Sequence, residues 1–221
     1  MFTGLIEEIG RVISTSRAGD GMHLKIAAAH VLEGTQTGDS ICINGACQTV
    51  TAIDGRSCTV FVSSVTASVT TLGEFAPGRR VNLERAMTPA SRFGGHFVQG
   101  HVDGRGRIER IDKNSAGIRV SASVGPELGK YIVEKGSIAV DGVSLTVVTL
   151  VDKGFTLYFI PETISNTTVS EWKTGDAVNV EVDILAKYVE RSLQFMKTGG
   201  KQGGSDGQDS FLKKLMEEGF V

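Results

Sequence analysis

Two segments of the sequence carry thiol, hydroxyl and carboxyl groups at matching positions. Residues 43–50 and 140–147 align without a gap, and Cys47 of the first segment falls on Ser144 of the second. Asp141 precedes Ser144 by three positions. Such groups can hydrogen-bond a small ligand and transfer protons to or from it. We therefore interpret these three positions as candidate catalytic residues.

The spacing of the residues around Ser144 predicts which side chains share a face of the strand. Ser144 and Thr146 are two positions apart and share one face of a strand, whereas Asp141 falls at the preceding turn. An alternative interpretation makes Asp141, and Asn44 in the other segment, part of type I′ hairpin turns without a chemical role. For Cys47 the alternative is a small, buried apolar side chain.

Four histidines are further candidates for proton transfer or metal binding. His96 and His101 are five residues apart, which predicts opposite faces of a single strand, so they are not expected to share a metal ion. His23 and His30 show no grouping with carboxylates or thiols. We predict no metal site. The alternative for His96 is a hydrogen-bonded residue between domains, whereas His101 is the stronger candidate because its counterpart in the first half is Leu5.

Composition and charge exclude several classes of protein. The chain of 221 residues has 23 Lys and Arg against 25 Asp and Glu, which gives a net charge of −2. This charge does not indicate binding to nucleic acid or to an anionic membrane. No apolar run suits a bilayer span, and the amino terminus lacks the pattern of a signal peptide, so we expect a cytoplasmic protein. Three cysteines without a CxxC pair indicate free thiols. Small molecules or copies of the chain are the expected partners.

Short apolar runs, separated by turn residues, predict the strands that position the candidate catalytic residues. The 28 glycines are about twice the usual share, which indicates many tight turns. The runs recur without long helices between them, and this spacing predicts a mostly β protein, either a barrel or a sandwich. In the first half the runs are residues 5–12, 22–27, 40–43, 49–53, 58–62 and 81–83.

The chain also contains an internal duplication. An offset of 97 pairs positions throughout the two halves, with a slip to 96 near the start of each half. A repeat of this length indicates two complete small domains, and we place their boundary near residues 87–94. The paired positions include Ser40 with Ser137, Thr66 with Thr163, Glu84 with Glu181, and Gly4 with Gly100.

After Asp183 the pattern changes from β to helical. Apolar residues recur at helical spacing, which predicts one amphipathic helix, and we interpret its apolar stripe as an oligomerisation surface. Residues 198–210 are rich in Gly, Ser and Gln and are expected to be flexible, with a short helix expected over 211–220. The apolar positions of the first helix are Ile184, Leu185, Tyr188, Val189, Phe195 and Met196.

An ordered set of motifs resembles the riboflavin synthase family, over about residues 1–197. The motifs are MFTGLI at 1–6, the paired segments 44–50 and 141–147, GHFVQGHVD at 95–103, and IPET at 160–163.

The resemblance implies an all-β fold of two tandem six-stranded Greek-key barrels followed by a carboxy-terminal helix, assembled as a homotrimer. We divide the chain accordingly. The divisions are a first lumazine-binding barrel at 1–90, a second at 94–183, a trimerisation helix at 184–197 and a flexible tail at 198–221.

The resemblance also implies a reaction. Two molecules of 6,7-dimethyl-8-ribityllumazine exchange a four-carbon unit, giving riboflavin and 5-amino-6-(ribitylamino)uracil in the last step of riboflavin biosynthesis. Electrons move between the two substrates, so no cofactor is expected. Two similar pockets with different key residues suit such a dismutation. Lumazine synthase is a further expected partner. The competing hypothesis is a non-catalytic lumazine- or flavin-binding protein, since relatives of this fold serve as optical antennae.

By the same resemblance, ligands bind between the first barrel of one subunit and the second barrel of a neighbour. The expected catalytic residues are Ser144, His101, Cys47 and Asp141, with Ser144 and His101 the best candidates for moving the C7-methyl proton. The expected substrate-binding residues are Phe2, Gly4, Ser40, Thr49, His96, Gly100, Lys135, Thr146, Ile160, Glu162, Thr163, Glu181 and Asp183.

Several of these assignments carry an alternative or a departure. Lys135, Glu181 and Asp183 either anchor ribityl hydroxyls or form surface salt bridges. Val65 stands where the second repeat has Glu162, so the family's usual acidic residue at this strand end is absent from the first barrel. Gln48 replaces an apolar residue of the family. Both departures lie in the first barrel, so the expected ligand contacts of the second barrel are all retained.

Overall fold

The structure is a computed structural model that describes residues 1–114 and 117–197, and its first repeat is a closed barrel of six strands. The strands are β1 (Glu8–Ala18), β2 (Gly21–Ala27), β3 (Ser40–Ile43), β4 (Ala46–Ile53), β5 (Ser57–Val62) and β6 (Arg80–Arg85). They pair antiparallel in the order β1-β2-β5-β4-β3-β6. Apolar side chains that alternate along the strands fill the barrel, and Leu24, Ile41, Val60 and Leu83 are fully buried there.

The second repeat forms a curled sheet of seven strands. The strands are β7 (Gly104–Asn114), β8 (Gly117–Ser123), β9 (Ser137–Val140), β10 (Val143–Thr146), β11 (Thr149–Val151), β12 (Gly154–Phe159) and β13 (Ala177–Val182). Their order is β10-β9-β13-β7-β8-β12-β11. Its own apolar core includes Ile108, Phe155, Leu157 and Phe159.

The two repeats differ in one strand, which is continuous in the first repeat and interrupted in the second. β10 and β11 together correspond to β4, but the chain changes partner between them: Val147 donates its N–H to the Gly136 carbonyl at 2.9 Å, and Val148 donates to the Thr156 carbonyl at 2.8 Å. The all-β fold with two repeats is thus confirmed. The expected six strands apply to the first repeat, whereas the second has seven because its fourth strand is divided.

The segment between the repeats differs from its expectation. His96 and His101 were expected on one strand, and this is wrong: residues 92–103 contribute only an isolated bridge between Phe2 and Val98. The backbone of the segment bonds to Phe2 and to the Glu181 carboxylate, and it makes single hydrogen bonds to β4 through the Gly100 carbonyl and to β13 through the Asp103 N–H.

The two repeats contact each other through equivalent residues, as in a two-fold dimer. Asn82 Nδ2 donates to the Asp141 carbonyl at 2.9 Å, and its counterpart Asn179 Nδ2 donates to the Asn44 carbonyl at 2.7 Å. The amide oxygens of both Asn82 and Asn179 accept backbone N–H groups of the opposite repeat. These reciprocal bonds fix the orientation of one repeat against the other.

Two hairpin turns meet at the centre of this interface. Asn44 and Gly45 have φ of 43° and 85°, and Asp141 and Gly142 have φ of 45° and 79°, which are the positive values of type I′ turns. A Cβ at Gly142 would lie 2.7 Å from the Gly45 nitrogen, so the backbones approach too closely for a side chain. The interpretation of both dipeptides as hairpin turns is therefore confirmed.

The helices are short except for the last one. They are α1 (Ser64–Val69), α2 (Pro126–Gly129), α3 (Pro161–Asn166) and α4 (Ile184–Lys197). Along α4, Leu185, Tyr188, Val189, Phe195 and Met196 are each more than half exposed. Within the described part of the chain, no helix has the length and apolar character needed to cross a membrane. The flexible tail and short helix expected over 198–221 lie outside the described residues.

Candidate functional site

An extended amino-terminal segment, residues 2–5, links the first repeat to Ser144 of the second, and we call it the first arm. Glu84 on β6 accepts the Thr3 N–H at 2.7 Å and the Gly4 N–H at 3.0 Å. The Gly4 carbonyl in turn accepts the Ser144 N–H at 2.8 Å. A Cβ at Gly4 would lie 2.6 Å from the Ser144 Cβ, so glycine permits this approach.

Residues 98–101 repeat this arrangement in the opposite direction, and we call them the second arm. Glu181 on β13 accepts the Gln99 N–H at 2.6 Å and the His101 N–H at 2.8 Å. The Gly100 carbonyl accepts the Cys47 N–H at 2.8 Å. Each repeat therefore holds its own arm with a buried glutamate and presents that arm to the other repeat.

Ser144 and His96 form the clearest chemical pair of the molecule. Ser144 is half-buried on β10, and its Oγ lies 2.7 Å from His96 Nδ1. In the tautomer protonated at Nε2, His96 Nδ1 accepts the hydroxyl proton, which makes Oγ a stronger base towards a ligand. His96 was expected to contact substrate, and the structure places it beside the catalytic candidate Ser144.

Burial sets the protonation of His96. The side chain is 7% exposed, and this desolvation lowers its pKa, while the nearby Asp183 carboxylate acts in the opposite direction. Nε2 is buried and has no hydrogen-bond partner among the residues that the structure describes. A neutral imidazole with one nitrogen on a serine hydroxyl is suited to accept and return a proton.

Asp141 lies at the interface between the repeats, three residues before Ser144. The residue is 1% exposed, and its Oδ1 accepts the Asn179 N–H at 2.8 Å. Asn44 makes the same bond to the Asn82 N–H at 2.7 Å in the first repeat. Burial raises the pKa of Asp141 to about 7. The position therefore supports the turn that carries Ser144.

Two residues expected to touch substrate are buried between the repeats. Phe2 is 0% exposed and packs with Cys42, Val98 and Ala139. Glu181 is 3% exposed, and both of its carboxylate oxygens accept backbone N–H groups of the second arm. Burial raises the pKa of the Glu181 carboxyl, and these backbone donors act in the opposite direction. Their contacts position the two arms.

The rims of both sheets carry further expected ligand contacts. Ser40 pairs in register with Thr49, and Thr146 pairs with Ser137 in the second repeat. Ser40 also lines a surface groove of about 720 Å³. His101 is exposed, with its backbone held by the Glu181 carboxylate.

Lys135 is exposed just before β9, in the second repeat. Its φ of 64° is uncommon for a residue with a side chain, and its counterpart Gly38 has φ of 100°. The structure thus keeps a cationic side chain at a position where the first repeat uses glycine.

Three expected contacts lie on α3 instead of a strand end. Ile160 caps this helix and is 55% exposed, and Glu162 Oε1 accepts from Asn166 Nδ2 at 2.6 Å. Thr163 is half-buried on the same helix. The expectation of a strand end here is wrong, since Pro161 begins a helical turn, as does the equivalent Ser64 of α1.

The two departures in the first repeat have different surroundings. Val65, the counterpart of Glu162, is 70% exposed on α1. Gln48 is buried, and its Nε2 donates to the Cys47 carbonyl at 2.6 Å. The polar residue is thus tied to the backbone of β4.

Sequence reasoning missed Glu84 and Thr3. Glu84 is 3% exposed and accepts from the Thr3 hydroxyl at 2.7 Å as well as from the first arm's backbone. The available signal was the pairing of Glu84 with Glu181 at the offset of 97, because a glutamate retained in both halves needs a shared role. Within the described ranges no cluster of three or more His, Cys, Asp or Glu side chains could hold a metal ion.

A polar groove between the repeats lies away from these residues. It has a volume of about 650 Å³ and includes Arg79, Arg105 and Arg107 among its lining residues. Arg105 Nη2 lies 2.6 Å from Glu74 Oε1 in an ion pair across the repeats. None of the expected site residues lines this groove.

Both repeats of the chain are similar to a known domain family and to solved structures. A family model described as the lumazine binding domain matches residues 3–86 and 99–183. Crystal structures of LumP complexed with 6,7-dimethyl-8-(1'-D-ribityl) lumazine and with riboflavin are similar in fold, each with a TM-score of 0.75 over 82% of this chain and 99% of that chain, at 23% and 24% identity.

Similarity in sequence extends along the whole chain. The riboflavin synthase of Bacillus subtilis (strain 168) is 47% identical over 221 residues, which is 100% of both chains. That of Actinobacillus pleuropneumoniae is 43% identical over 216 residues, covering 97% of this chain and 99% of its own. That of Schizosaccharomyces pombe is 42% identical over 198 residues, covering 88% and 94%. With both repeats matched and 88–100% of its length aligned to these enzymes, the chain belongs to the riboflavin synthase family.

Proposed function

We propose that this enzyme converts two molecules of 6,7-dimethyl-8-ribityllumazine into riboflavin and 5-amino-6-(ribitylamino)uracil. A four-carbon unit leaves one lumazine and joins the other. All atoms of the two substrates appear in the two products, so the reaction needs no external oxidant or reductant. The protein has to orient two rings, move protons and stabilise developing charge.

The hydrogen bond between Ser144 and His96 is the observation that carries this proposal. Its Oγ to Nδ1 distance of 2.7 Å allows the imidazole to draw the hydroxyl proton. The hydroxyl oxygen then removes a proton from the acidic C7-methyl group of one lumazine, which becomes the carbon nucleophile. Because burial lowers the pKa of His96, the imidazole is neutral and able to accept this proton near pH 7.

The two repeats supply different groups to their ligands. Cys47 stands where the second repeat has Ser144, whereas the neighbouring positions Thr49 and Thr146 are identical. The first repeat thus offers a softer and less basic environment at the equivalent position. We assign the deprotonated lumazine to the second repeat, and we assign to Cys47 a contact with the ring carbon that is attacked.

The remaining expected residues surround these two centres. Ser40, Thr49, Thr146, Lys135 and His101 lie at the rims and bind ring or ribityl oxygens. Ile160, Glu162 and Thr163 on α3 and Asp183 at the end of β13 complete the ribityl contacts. The other expected residues hold the arms and turns in place. They are Phe2, Gly4, Gly100, Asp141 and Glu181.

The working form is a homotrimer in which the first repeat of one subunit faces the second repeat of a neighbour. Support comes from α4, whose apolar side chains are exposed in the single chain. Deletion of residues 184–221 should convert the trimer into monomers in solution, measured by light scattering. An unchanged molecular mass would reject the assembly through α4. We expect the trimer to work in the cytoplasm and to associate with lumazine synthase.

A single incubation tests the proposed reaction. Purified protein with 6,7-dimethyl-8-ribityllumazine alone should produce riboflavin fluorescence, with two lumazines consumed per riboflavin formed. Binding of lumazine without turnover would instead support the alternative of a non-catalytic lumazine- or flavin-binding protein. The Ser144→Ala variant provides the control, since it should bind lumazine and lack turnover.

A further inference from the structure

Glu84 is a buried carboxylate that the proposed chemistry does not use. It lies on β6 of the first repeat and is 3% exposed. Oε1 accepts the Thr3 N–H and the Thr3 hydroxyl, each at 2.7 Å, and Oε2 accepts the Gly4 N–H at 3.0 Å. Burial raises the pKa of this carboxyl, whereas its three donors act in the opposite direction. These donors all come from the first arm.

The same two arm residues contact both members of the catalytic pair. The Thr3 carbonyl accepts the His96 N–H at 3.2 Å, and the Gly4 carbonyl accepts the Ser144 N–H at 2.8 Å. A Cβ at Gly95 would lie 1.9 Å from the Thr3 oxygen, so the arm also packs tightly against the residue before His96. The arm therefore sets how far apart the His96 and Ser144 backbones stand.

We propose that Glu84 is a positioning residue for the Ser144–His96 pair, acting across the repeats through the first arm. Its carboxylate fixes the arm from the first repeat, and the arm's carbonyls fix the pair in the second. The inference rests on the proposed function for its kinetic consequence, whereas the alignment of the pair is a structural claim that stands without turnover. Small displacements of reacting groups reduce rates strongly, by as much as about a hundredfold per ångström.

The second arm provides a matched control. Glu181 is equally buried at 3% and accepts backbone N–H groups of Gln99 and His101. Its arm contacts Cys47 through the Gly100 carbonyl. Glu181→Gln therefore perturbs a buried glutamate, an arm and the interface to a similar degree as Glu84→Gln, but it acts on the other site.

Nitrogen-15 NMR of the histidine side chains tests the alignment directly. In protein labelled at histidine, the Nδ1 and Nε2 shifts of His96 report the hydrogen bond to Ser144. Glu84→Gln should move the His96 ring signals and leave those of His23 and His30 in place. Glu181→Gln should leave the His96 ring signals unchanged. Unchanged His96 signals in Glu84→Gln, or an equal change in both variants, would overturn the proposal.

Kinetics supply the second measurement. Glu84→Gln should lower kcat about tenfold or more while KM changes less than about threefold, since ligand contacts remain and only the alignment of the pair is lost. The pH dependence of kcat should shift as well, because a displaced arm changes the burial that lowers the pKa of His96. A rise in KM at constant kcat and an unshifted pH profile would assign Glu84 to ligand binding and contradict the inference.

A milder variant covers the case in which Glu84→Gln does not fold. Thr3→Val has nearly the same shape and removes only the hydroxyl, which donates to Glu84 and accepts the Leu5 N–H at 3.3 Å. It should shift the His96 signals in the same direction by a smaller amount, and no shift would overturn the proposal. If the wild-type protein forms no riboflavin, the proposed function fails, and the NMR comparison still decides whether Glu84 aligns the pair.

Discussion

The two repeats hold their arms and turns in the same way but differ at the positions that we propose for the chemistry. Both hold an arm with a buried glutamate, and both carry a type I′ turn before the strand that faces the other repeat's arm. At the same backbone positions the first repeat has Cys47 and Asn44, whereas the second has Ser144 and Asp141. His96 adds an imidazole to Ser144. Equivalent backbone positions therefore carry two different sets of groups.

This comparison explains why duplication suits a dismutation. The bonds that recur in both repeats maintain geometry. Asn82 and its counterpart Asn179 each bond the opposite repeat, and Glu84 and its counterpart Glu181 each hold an arm. The residues that differ are those expected to distinguish donor from acceptor. Variants that remove a difference should therefore affect turnover, while variants at the shared residues should affect stability or alignment.

Loss of the serine hydroxyl should have the largest effect. Ser144→Ala should lower kcat by about 10²–10⁴-fold, the usual contribution of a positioned proton-transfer group, whereas Cys47→Ala should lower it less. Riboflavin fluorescence under saturating lumazine measures both. Comparable losses in the two variants would mean that the repeats contribute equally. Lumazine titrations of each variant control for lost binding.

Closure of the interface should be the next most sensitive feature. Gly142→Ala places a methyl group 2.7 Å from the Gly45 nitrogen, so we expect the free energy of unfolding to fall by about 2–4 kcal/mol. Gly55→Ala is the control, because Gly55 has a similar φ of 81° with nothing within 4 Å, and it should cost about 1 kcal/mol. Urea unfolding compares the two, and equal losses would show that the backbone contact is not tight.

Removing the charge at the second turn should make the repeats alike and change the pH dependence of stability. Burial raises the pKa of Asp141 from 3.8 to about 7, so the native protein holds this proton more tightly than the unfolded chain. The stability that this provides is complete below about pH 4 and is lost as the pH rises through 7. Asp141→Asn keeps the acceptor for the Asn179 N–H and lacks this loss.

The expected gain for Asp141→Asn over wild type, between pH 5 and pH 8, is about 2 kcal/mol in the free energy of unfolding. Thermal or urea unfolding across this range measures it. A difference that stays constant with pH would mean that the carboxyl titrates normally. Turnover of the same variant checks whether Asp141 has a catalytic part beyond supporting its turn.

The smallest stability effect is expected at Lys135. Asn tolerates the positive φ of 64°, so Lys135→Asn should change the free energy of unfolding by less than about 1 kcal/mol. The loss of a cation at the rim should raise KM severalfold with little change in kcat, and Lys135→Arg should retain the wild-type KM. An unchanged KM in Lys135→Asn would remove this residue from the ligand contacts.

Much of the fold could be predicted from the sequence. Apolar runs between turn residues marked the strands, and β3 spans Ser40–Ile43 as expected. The offset of 97 indicated two repeats. The division of the fourth strand of the second repeat into β10 and β11 could not be predicted, because it depends on how β10 pairs with β9 and β11 pairs with β12.

The site was predicted in its residue types more than in its contacts. Ser144, Cys47 and His96 were all named as candidates, but the pairing of Ser144 with His96 depends on an arm that crosses between the repeats, and no local pattern reveals which repeat an arm will contact. Phe2 and Glu181 were expected to contact the ligand, and their side chains are buried between the repeats. Glu84 escaped notice because its partners, Thr3 and Gly4, are about 80 residues distant.

Exchange of the C7-methyl protons tests the central claim that proton removal takes place at Ser144 and His96. Lumazine is incubated with each protein in D₂O, and loss of the methyl signal is followed by NMR beyond the spontaneous rate. Wild type and Cys47→Ala should both accelerate the exchange, and Ser144→Ala should not. Equal acceleration by Ser144→Ala, or its loss in Cys47→Ala alone, would contradict the assignment of this step to the second repeat.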